Sequence, residues 1–344
     1  MILTGKNLWQ IAAGDKERKY DDIFLKYDVM TIGPGSPGPY TPLLYPNKRG
    51  IDESIRRFYQ DAKKDDIVVC RLGNNEVIAI GQIADTTPNM IEEFGDIDGW
   101  DQQHVRRVRW FENTAHSFAK NTFGTLRDTF NMVKIPSIIS WVTGVTVPPS
   151  QLTRTLKEIP PDSKTLTIDE LGHYLFLEGL PSEYIEHLTT TLIEIERVAK
   201  WYANNEKKPK GRPSEHETVA YLTIPLLFAL GWSHQTTAIE WKKIDIALFN
   251  KMPPDDSSLE CVIEAKRLDL SVFRAYDQAL GYALKAGRQN CKRLIVTDGI
   301  RYALYNRDMN NFILISYLNI TRLRKDYPLI GCKGAIETII GMAK

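Results

Sequence analysis

Cysteine is scarce in this chain of 344 residues: there are four, at positions 70, 261, 291 and 332, and no two form a Cys-x-x-Cys pair. That spacing argues against a structural zinc site and against a disulfide framework, and it fits a reduced compartment. Long apolar runs are missing as well. The longest, such as Ile224–Leu230, is far too short to span a bilayer, and the segment Met1–Asn7 lacks the apolar centre of a signal peptide. The expectation is a cytoplasmic protein with no membrane partner. Neither charge sign is in excess, since 44 Lys and Arg face 43 Asp and Glu for a formal net charge of +1. Nucleic-acid binding would therefore need positive charge gathered into patches. Gly33-Pro34-Gly35-Ser36-Pro37-Gly38-Pro39-Tyr40 is rich in glycine, but no Gly-Lys-Ser/Thr follows it, so no ATP site is expected. The six histidines (His104, His116, His173, His187, His216, His234) form no paired motif, which disfavours HNH chemistry. No G-x-S-x-G elbow supports a serine hydrolase, and no repeat of solenoid length is present.

What remains is an ordinary globular composition, 43% hydrophobic and 25% charged, in a chain long enough for two domains. Residues 1–112 carry short strand-like runs (Leu8–Ala12, Ile67–Arg71, Glu76–Ile83), the last two joined through a hairpin turn at Gly73-Asn74-Asn75. One helix-like stretch, Asp52–Lys63, interrupts them, and a small α+β barrel is expected. Residues 113–203 turn helical. Thr167-Ile168-Asp169-Glu170 reads as a capping box, and Pro181–Asn204 spaces Tyr184, Leu188, Leu192, Ile195 and Val198 along one helix face. This stretch is expected to be a connecting region. Residues 204–213, polar, basic and broken by proline and glycine, read as a linker. Residues 214–344 follow as a mixed α/β domain. It has a helix from Ser214 to Leu230, strands at Thr236–Trp241, Ile244–Phe249 and Leu259–Ala265, a helix over Ser271–Ala286, and strands at Arg293–Thr297 and Tyr302–Asn306.

The chemistry concentrates in Ile244-Asp245-Ile246 and Ile263-Glu264-Ala265-Lys266. Alternation along a strand points Glu264 and Lys266 to the same side. If the two runs form a hairpin with Phe249 opposite Glu260, Asp245 falls opposite Glu264, with Cβ atoms roughly 4.5–5.5 Å apart. Two carboxylates so placed repel unless a cation intervenes. Mg²⁺, with Mn²⁺ as a substitute, prefers oxygen ligands of this kind, lowers the pKa of a bound water and stabilises charge on phosphate. Lys266 can orient the nucleophile or neutralise a developing oxyanion.

These residues carry a family resemblance over about residues 213–310. Ser214-Glu215-His216-Glu217-Thr218, Leu222, Pro225-Leu226-Leu227 and Leu230-Gly231-Trp232 resemble the opening helix of the PD-(D/E)xK nuclease domain in type I restriction-enzyme motor subunits. Ile244-Asp245, Ile263-Glu264-Ala265-Lys266, Gln278 to Ala283 and Thr297-Asp298-Gly299 continue it in order. The resemblance implies a restriction-endonuclease-like mixed sheet flanked by helices, with Asp245, Glu264 and Lys266 as the catalytic core. It implies that Glu215 helps to hold metal with Asp245 and Glu264, Glu217 being its rival at that helix. Gln278 and Tyr282 match the Q-x-x-x-Y element of RecB-like nucleases and lie on one helical face, within reach of the site or the DNA backbone. Asp298 departs from the pattern, since many relatives carry Asn there.

The amino-terminal region resembles a PUA-like barrel, closest to its EVE branch, through Asn7-Leu8-Trp9-Gln10-Ile11, Tyr20–Phe24, Asp65–Val69, Glu76–Ile83 and Arg106-Arg107-Val108-Arg109-Trp110. Domains of this type recognise modified bases or RNA, so Trp9, Phe24, Tyr40, Trp100 and Trp110 are candidate pocket walls, Trp9 and Trp100 foremost. Arg106, Arg107 and Arg109 are candidate phosphate contacts. The combined expectation is a modification-dependent, type IV-like restriction endonuclease that acts on base-modified DNA, and that dimerises because one site cuts one strand. The alternatives are an RNA-processing or DNA-repair nuclease, and a nucleic-acid sensor that does not cut.

Overall fold

A computed structural model of the chain describes residues 5–14, 18–124, 128–205 and 212–344. It is a mixed α and β structure that separates into two compact units, Met1–Pro161 and Asp162–Lys344. Among the described residues no helix is long and apolar enough to cross a membrane.

In the first unit, six strands form the main path of a sheet, in the order Val29–Ile32, His104–Trp110, Glu76–Ile83, Ile67–Leu72, Leu8–Ala12 and Phe130–Met132. All neighbours are antiparallel except Leu8–Ala12 with Ile67–Leu72. Those two central strands are buried almost without interruption, which is why they read as continuous apolar runs rather than as alternating ones. Gly73, with φ 62°, turns the chain between Ile67–Leu72 and Glu76–Ile83 where the sequence places a hairpin. The stretch expected to be one helix is an α-helix, Gly50–Arg56, that continues as a π-helix, Arg57–Asp61.

The second unit is built on an eight-stranded sheet. From one edge it runs Thr237–Trp241, Ile244–Phe249, Leu259–Ala265, Arg293–Thr297, Arg301–Asp308 and Asn311–Asn319, and ends in the short Cys332–Lys333 and Asp326–Tyr327. Leu259–Ala265 pairs in parallel with Arg293–Thr297, and the crossover between them carries the helix Tyr276–Ala283. Both faces are covered. Ile246, Leu248 and Ile263 look into a core shared with the helices Ile168–Leu177, Ser182–Asn204 and Ala335–Met342. Phe249, Val262 and Leu294 look into a second core with Ala275, Ala279 and Ala283.

The region read as a connector, 113–203, is divided between the units. Phe130–Met132 joins the first sheet beside Leu8–Ala12. The helices Ile168–Leu177 and Ser182–Asn204 bury Leu171, Leu175, Leu188, Leu192 and Ile195 in the core of the second unit. The capping box at Thr167 is present, with the Thr167 hydroxyl accepting from the Glu170 N–H at 3.1 Å. Residues 206–211 of the basic linker lie outside the described residues. The helix expected to open at Ser214 begins at Glu215 and passes through a π-helical turn, Val219–Thr223, just before Pro225. Proline has no N–H for the preceding turn, and a widened turn absorbs the defect.

Gly299, in the turn between Arg293–Thr297 and Arg301–Asp308, lies close against this helix. Its φ is +89°, and a Cβ there would stand 2.7 Å from the Leu222 Cβ and 2.9 Å from the Thr218 Cγ2. Gly331 shares the left-handed backbone, with φ +80°, but has open space around it. Gly299→Ala is expected to lower the urea-unfolding free energy by about 2 kcal/mol or more, and Gly331→Ala by about 1 kcal/mol. Equal losses would show that the close approach carries no cost.

Candidate active site

The hairpin of Ile244–Phe249 and Leu259–Ala265 pairs Ile246 with Ile263, Ala247 with Val262 and Leu248 with Cys261. Carried one step further, this register sets Asp245 beside Glu264. Phe249 pairs with Leu259 rather than with Glu260, because a bulge shifts the ladder at Leu248/Phe249. The irregularity falls at the far end and leaves the carboxylates in the expected alignment. Asp245 follows the alternation of Ala247 and Phe249, and Glu264 that of Val262, so both lie on the sheet face packed by Tyr276–Ala283. Asp245 also accepts the Ala265 N–H through Oδ2 at 2.7 Å, which ties the start of one strand to the end of the other.

Glu264 is fully buried. Its Oε1 accepts from the Lys266 ammonium at 3.0 Å, while its Oε2 has no hydrogen-bond partner. Burial, then the charge of Asp245 and more weakly that of Glu215, push its carboxyl up to about 7 against the pull of Lys266. Lys266 is mostly covered and also reaches the amide oxygen of Gln278 at 3.4 Å. The structure thus brings together Asp245, Glu264, Lys266 and Gln278. Tyr282 does something else: its half-buried ring packs into the core on that sheet face and lies under the Lys285 ammonium at 4.9 Å.

At the opening helix, Glu217 is committed to capping. Its Oε2 accepts from the Ser214 N–H at 2.8 Å, and the Ser214 hydroxyl accepts from the Glu217 N–H at 3.2 Å. Glu215 is the carboxylate left to act on Glu264 through space. Among the described residues no group of three or more His, Cys, Asp or Glu is placed to enclose a metal ion. Asp245 and Glu264 nevertheless suit a hard divalent cation. Mg²⁺ is held well by one or two carboxylates with water and phosphate oxygens completing the shell, and the buried Glu264 Oε2 is an acceptor with nothing yet to accept from.

Sequence reasoning set aside a second group of residues that hold Lys266 in place. The Lys266 N–H donates to the Thr297 carbonyl at 2.7 Å, and the Leu268 N–H to the Thr218 hydroxyl at 3.3 Å. Asp298, wholly buried, accepts from the backbone N–H groups of Asp269 (3.0 Å) and Arg301 (2.9 Å) and pairs with the buried Arg301 guanidinium. The only hint in the sequence was the Thr297-Asp298-Gly299 spacing.

In the first unit most proposed contacts turn out to be framework. Trp9 is buried, stacks on Phe130 at 5.0 Å and donates from Nε1 to Asp66 at 2.8 Å. Phe24 is buried against Trp110, whose own Nε1 donates to the Val29 carbonyl at 3.1 Å. Arg106 is buried, paired with Asp85 at 2.9 Å, and donates to the Phe58 and Ala62 carbonyls. Arg107 donates to the Asp28 carbonyl and Arg109 to that of Arg154. These contacts hold strands and loops together: Arg106 is wholly buried among the carbonyls and the Asp85 carboxylate, which offer partners that water would otherwise supply, while Arg107 and Arg109 stay half-exposed. Tyr40, half-buried, stacks on Tyr45 at 6.1 Å and meets Tyr59 at 5.9 Å. Of the set, Trp100 lines a cavity of about 670 Å³, with Tyr20, Arg71, Asn74, Asn75 and Lys120 also in its wall, and Trp110 lines one of about 410 Å³ with Phe111, Arg154 and Lys157. The Arg18 guanidinium lies 5.0 Å from the Trp100 ring centre.

A family model described as a domain of unknown function (DUF8426) matches residues 39–129. Neither the curated proteins nor the solved structures compared with the chain give a match.

The raised Glu264 carboxyl has a consequence for stability without metal. A folded-state value lifted from 4.5 to about 7 favours the protonated form on folding, so its stabilising effect is complete below about pH 4.5 and is lost as pH rises through 7. In a chelator, unfolding free energy of the wild type is expected to fall across that window, and that of Glu264→Gln to fall less. Parallel pH profiles for the two would show that Glu264 titrates normally.

Proposed function

We propose that the second unit is a metal-dependent nuclease of the PD-(D/E)xK kind, with a restriction-endonuclease-like sheet, and that the first unit is a PUA-like reader of a modified base in DNA. The observation that carries the nuclease reading is the buried Glu264, set beside Asp245 and Lys266 with one oxygen unpartnered. A stability-driven sequence would fill such a place with an apolar side chain. Perturbed carboxylates beside a lysine are a general mark of reaction centres.

In this reading Asp245 and Glu264 would hold a divalent cation, which would supply charge neutralisation at phosphate and acidify a bound water. Glu264 must lose its proton to serve. Lys266 stabilises the Glu264 carboxylate in the resting site and, once substrate arrives, places its ammonium where charge grows on the phosphate oxygens. Gln278 accepts from Lys266 and so limits the directions the ammonium can take. The Asp245 to Ala265 hydrogen bond fixes the carboxylate against its neighbour strand.

The reader half is supported by the cavity at Trp100. An indole face, the amides of Asn74 and Asn75, and the cations Arg71 and Lys120 suit a planar, edge-bonding group attached to phosphate.

Digestion of plain, cytosine-modified and adenine-modified duplexes, with and without Mg²⁺, tests both halves. Cleavage is expected only with Mg²⁺ or Mn²⁺ and mainly on one modified duplex. Asp245→Ala and Glu264→Gln should abolish it, and Lys266→Ala should slow it by about 10²–10³-fold. Trp100→Ala should erase the preference for the modified duplex while leaving cleavage chemistry intact. A wild-type protein that cuts no duplex or RNA with either metal sinks the nuclease reading, and equal cutting of all duplexes sinks the reader.

A further inference from the structure

The edge hairpin that carries Asp245 turns in an unusual way. Trp241 pairs with Ile244, leaving a two-residue turn of Lys242 and Lys243 with φ of 49° and 75°, and Glu240 just before it has φ 53°. Turns of this shape favour Asn-Gly, because a left-handed backbone crowds any ordinary Cβ. Strain kept where a glycine or asparagine would relieve it points to a use for the side chains.

Two of the three side chains at the turn are accounted for. The Lys242 ammonium pairs with Asp256 at 2.5 Å and lies 4.5 Å from the Trp241 ring centre, and the Glu240 carboxylate meets His216 Nδ1 at 3.2 Å. Lys243 is exposed and has no hydrogen-bond or ion-pair partner among the described residues. The side chain of Arg267, which follows Lys266, is likewise exposed and without such a partner among the described residues. Ile244–Phe249 and Leu259–Ala265 are antiparallel, so the residues just before the first and just after the second lie at one end of the sheet, the end that holds Asp245 and Glu264.

We infer that Lys243 and Arg267 grip the phosphates of duplex DNA on either side of the one held at the carboxylates, and that the strain in the hairpin turn is retained to present Lys243. The inference rests on the nuclease reading for its substrate. Like charges along a backbone reward cations spaced along the groove, and each such contact adds affinity that salt removes.

The test is binding of a short labelled DNA duplex by the full chain in a chelator, followed by fluorescence anisotropy over a salt series, beside thermal unfolding. Lys243→Gly is expected to raise the unfolding midpoint by roughly 2–4 °C. It should also weaken binding several-fold and reduce the slope of log affinity against log salt by about 0.9. Lys243→Arg should keep affinity and slope, while Arg267→Ala should lose a similar slope with no gain in midpoint. A Lys243→Gly protein that binds with the wild-type slope, or whose midpoint does not rise, overturns the inference. Wild type that binds the duplex with the expected variant effects but cuts no duplex or RNA with Mg²⁺ or Mn²⁺ sinks the nuclease reading and leaves this one standing. Wild type that does not bind duplex at all overturns the inference.

Discussion

One buried carboxylate sets the terms for the second unit. Glu264 lies out of water beside Asp245, and a single ammonium, that of Lys266, offsets the two. Burying an ionised group without full pairing costs several kcal/mol or forces it to take up a proton, and the raised Glu264 carboxyl is that second outcome. The sheet tolerates this because everything around the pair is over-determined. Apolar side chains cover both sheet faces, the strand register is pinned by a side-chain to backbone bond from Asp245, and the segment after Lys266 is anchored to Thr297, Asp298 and Thr218. A less rigid scaffold would let the carboxylates drift apart and rehydrate.

How much of this was legible depended on how local the determinants were. The hairpin partners of Asp245 could be read from alternation and loop length, since a one-residue slip would turn the whole apolar set outward. The bulge near Phe249 could not, but it lies on the side of the hairpin away from the site. Motif spacing favours Glu215 over Glu217 as the helix carboxylate, but it does not reveal that Glu217 is bonded to Ser214. Asp298 was passed over because its work is done through backbone N–H groups, and these leave no pattern in a sequence.

The amino-terminal unit was harder to read for a different reason. An aromatic ring or an arginine looks the same in a sequence whether it faces a ligand or a carbonyl. Trp9 and Arg106 were attractive as contacts because they are large and polar at one end, the very property that lets them bridge a core to buried acceptors such as Asp66 and Asp85. Trp100 differed in having Gly99 and a loop beside it instead of a strand ladder. That left part of its ring turned toward the cavity it shares with Tyr20 and the asparagines.

The division of the helical middle region has a consequence for how the second unit can be handled as a piece. Its core closes across the polar, basic stretch that reads as a boundary: Leu171, Leu188 and Ile195 on one side pack with Leu222, Leu226 and Ile339 on the other. A fragment begun at Ser214 would keep every residue of the proposed reaction centre yet bare the apolar flank of its opening helix. Such a surface promotes self-association, since exposed apolar patches recruit whatever can cover them. A protease cut in that stretch, by contrast, would leave two segments still held together by their shared interior. The excisable module therefore starts near Asp162, and the chain's most conspicuous seam runs through the middle of it.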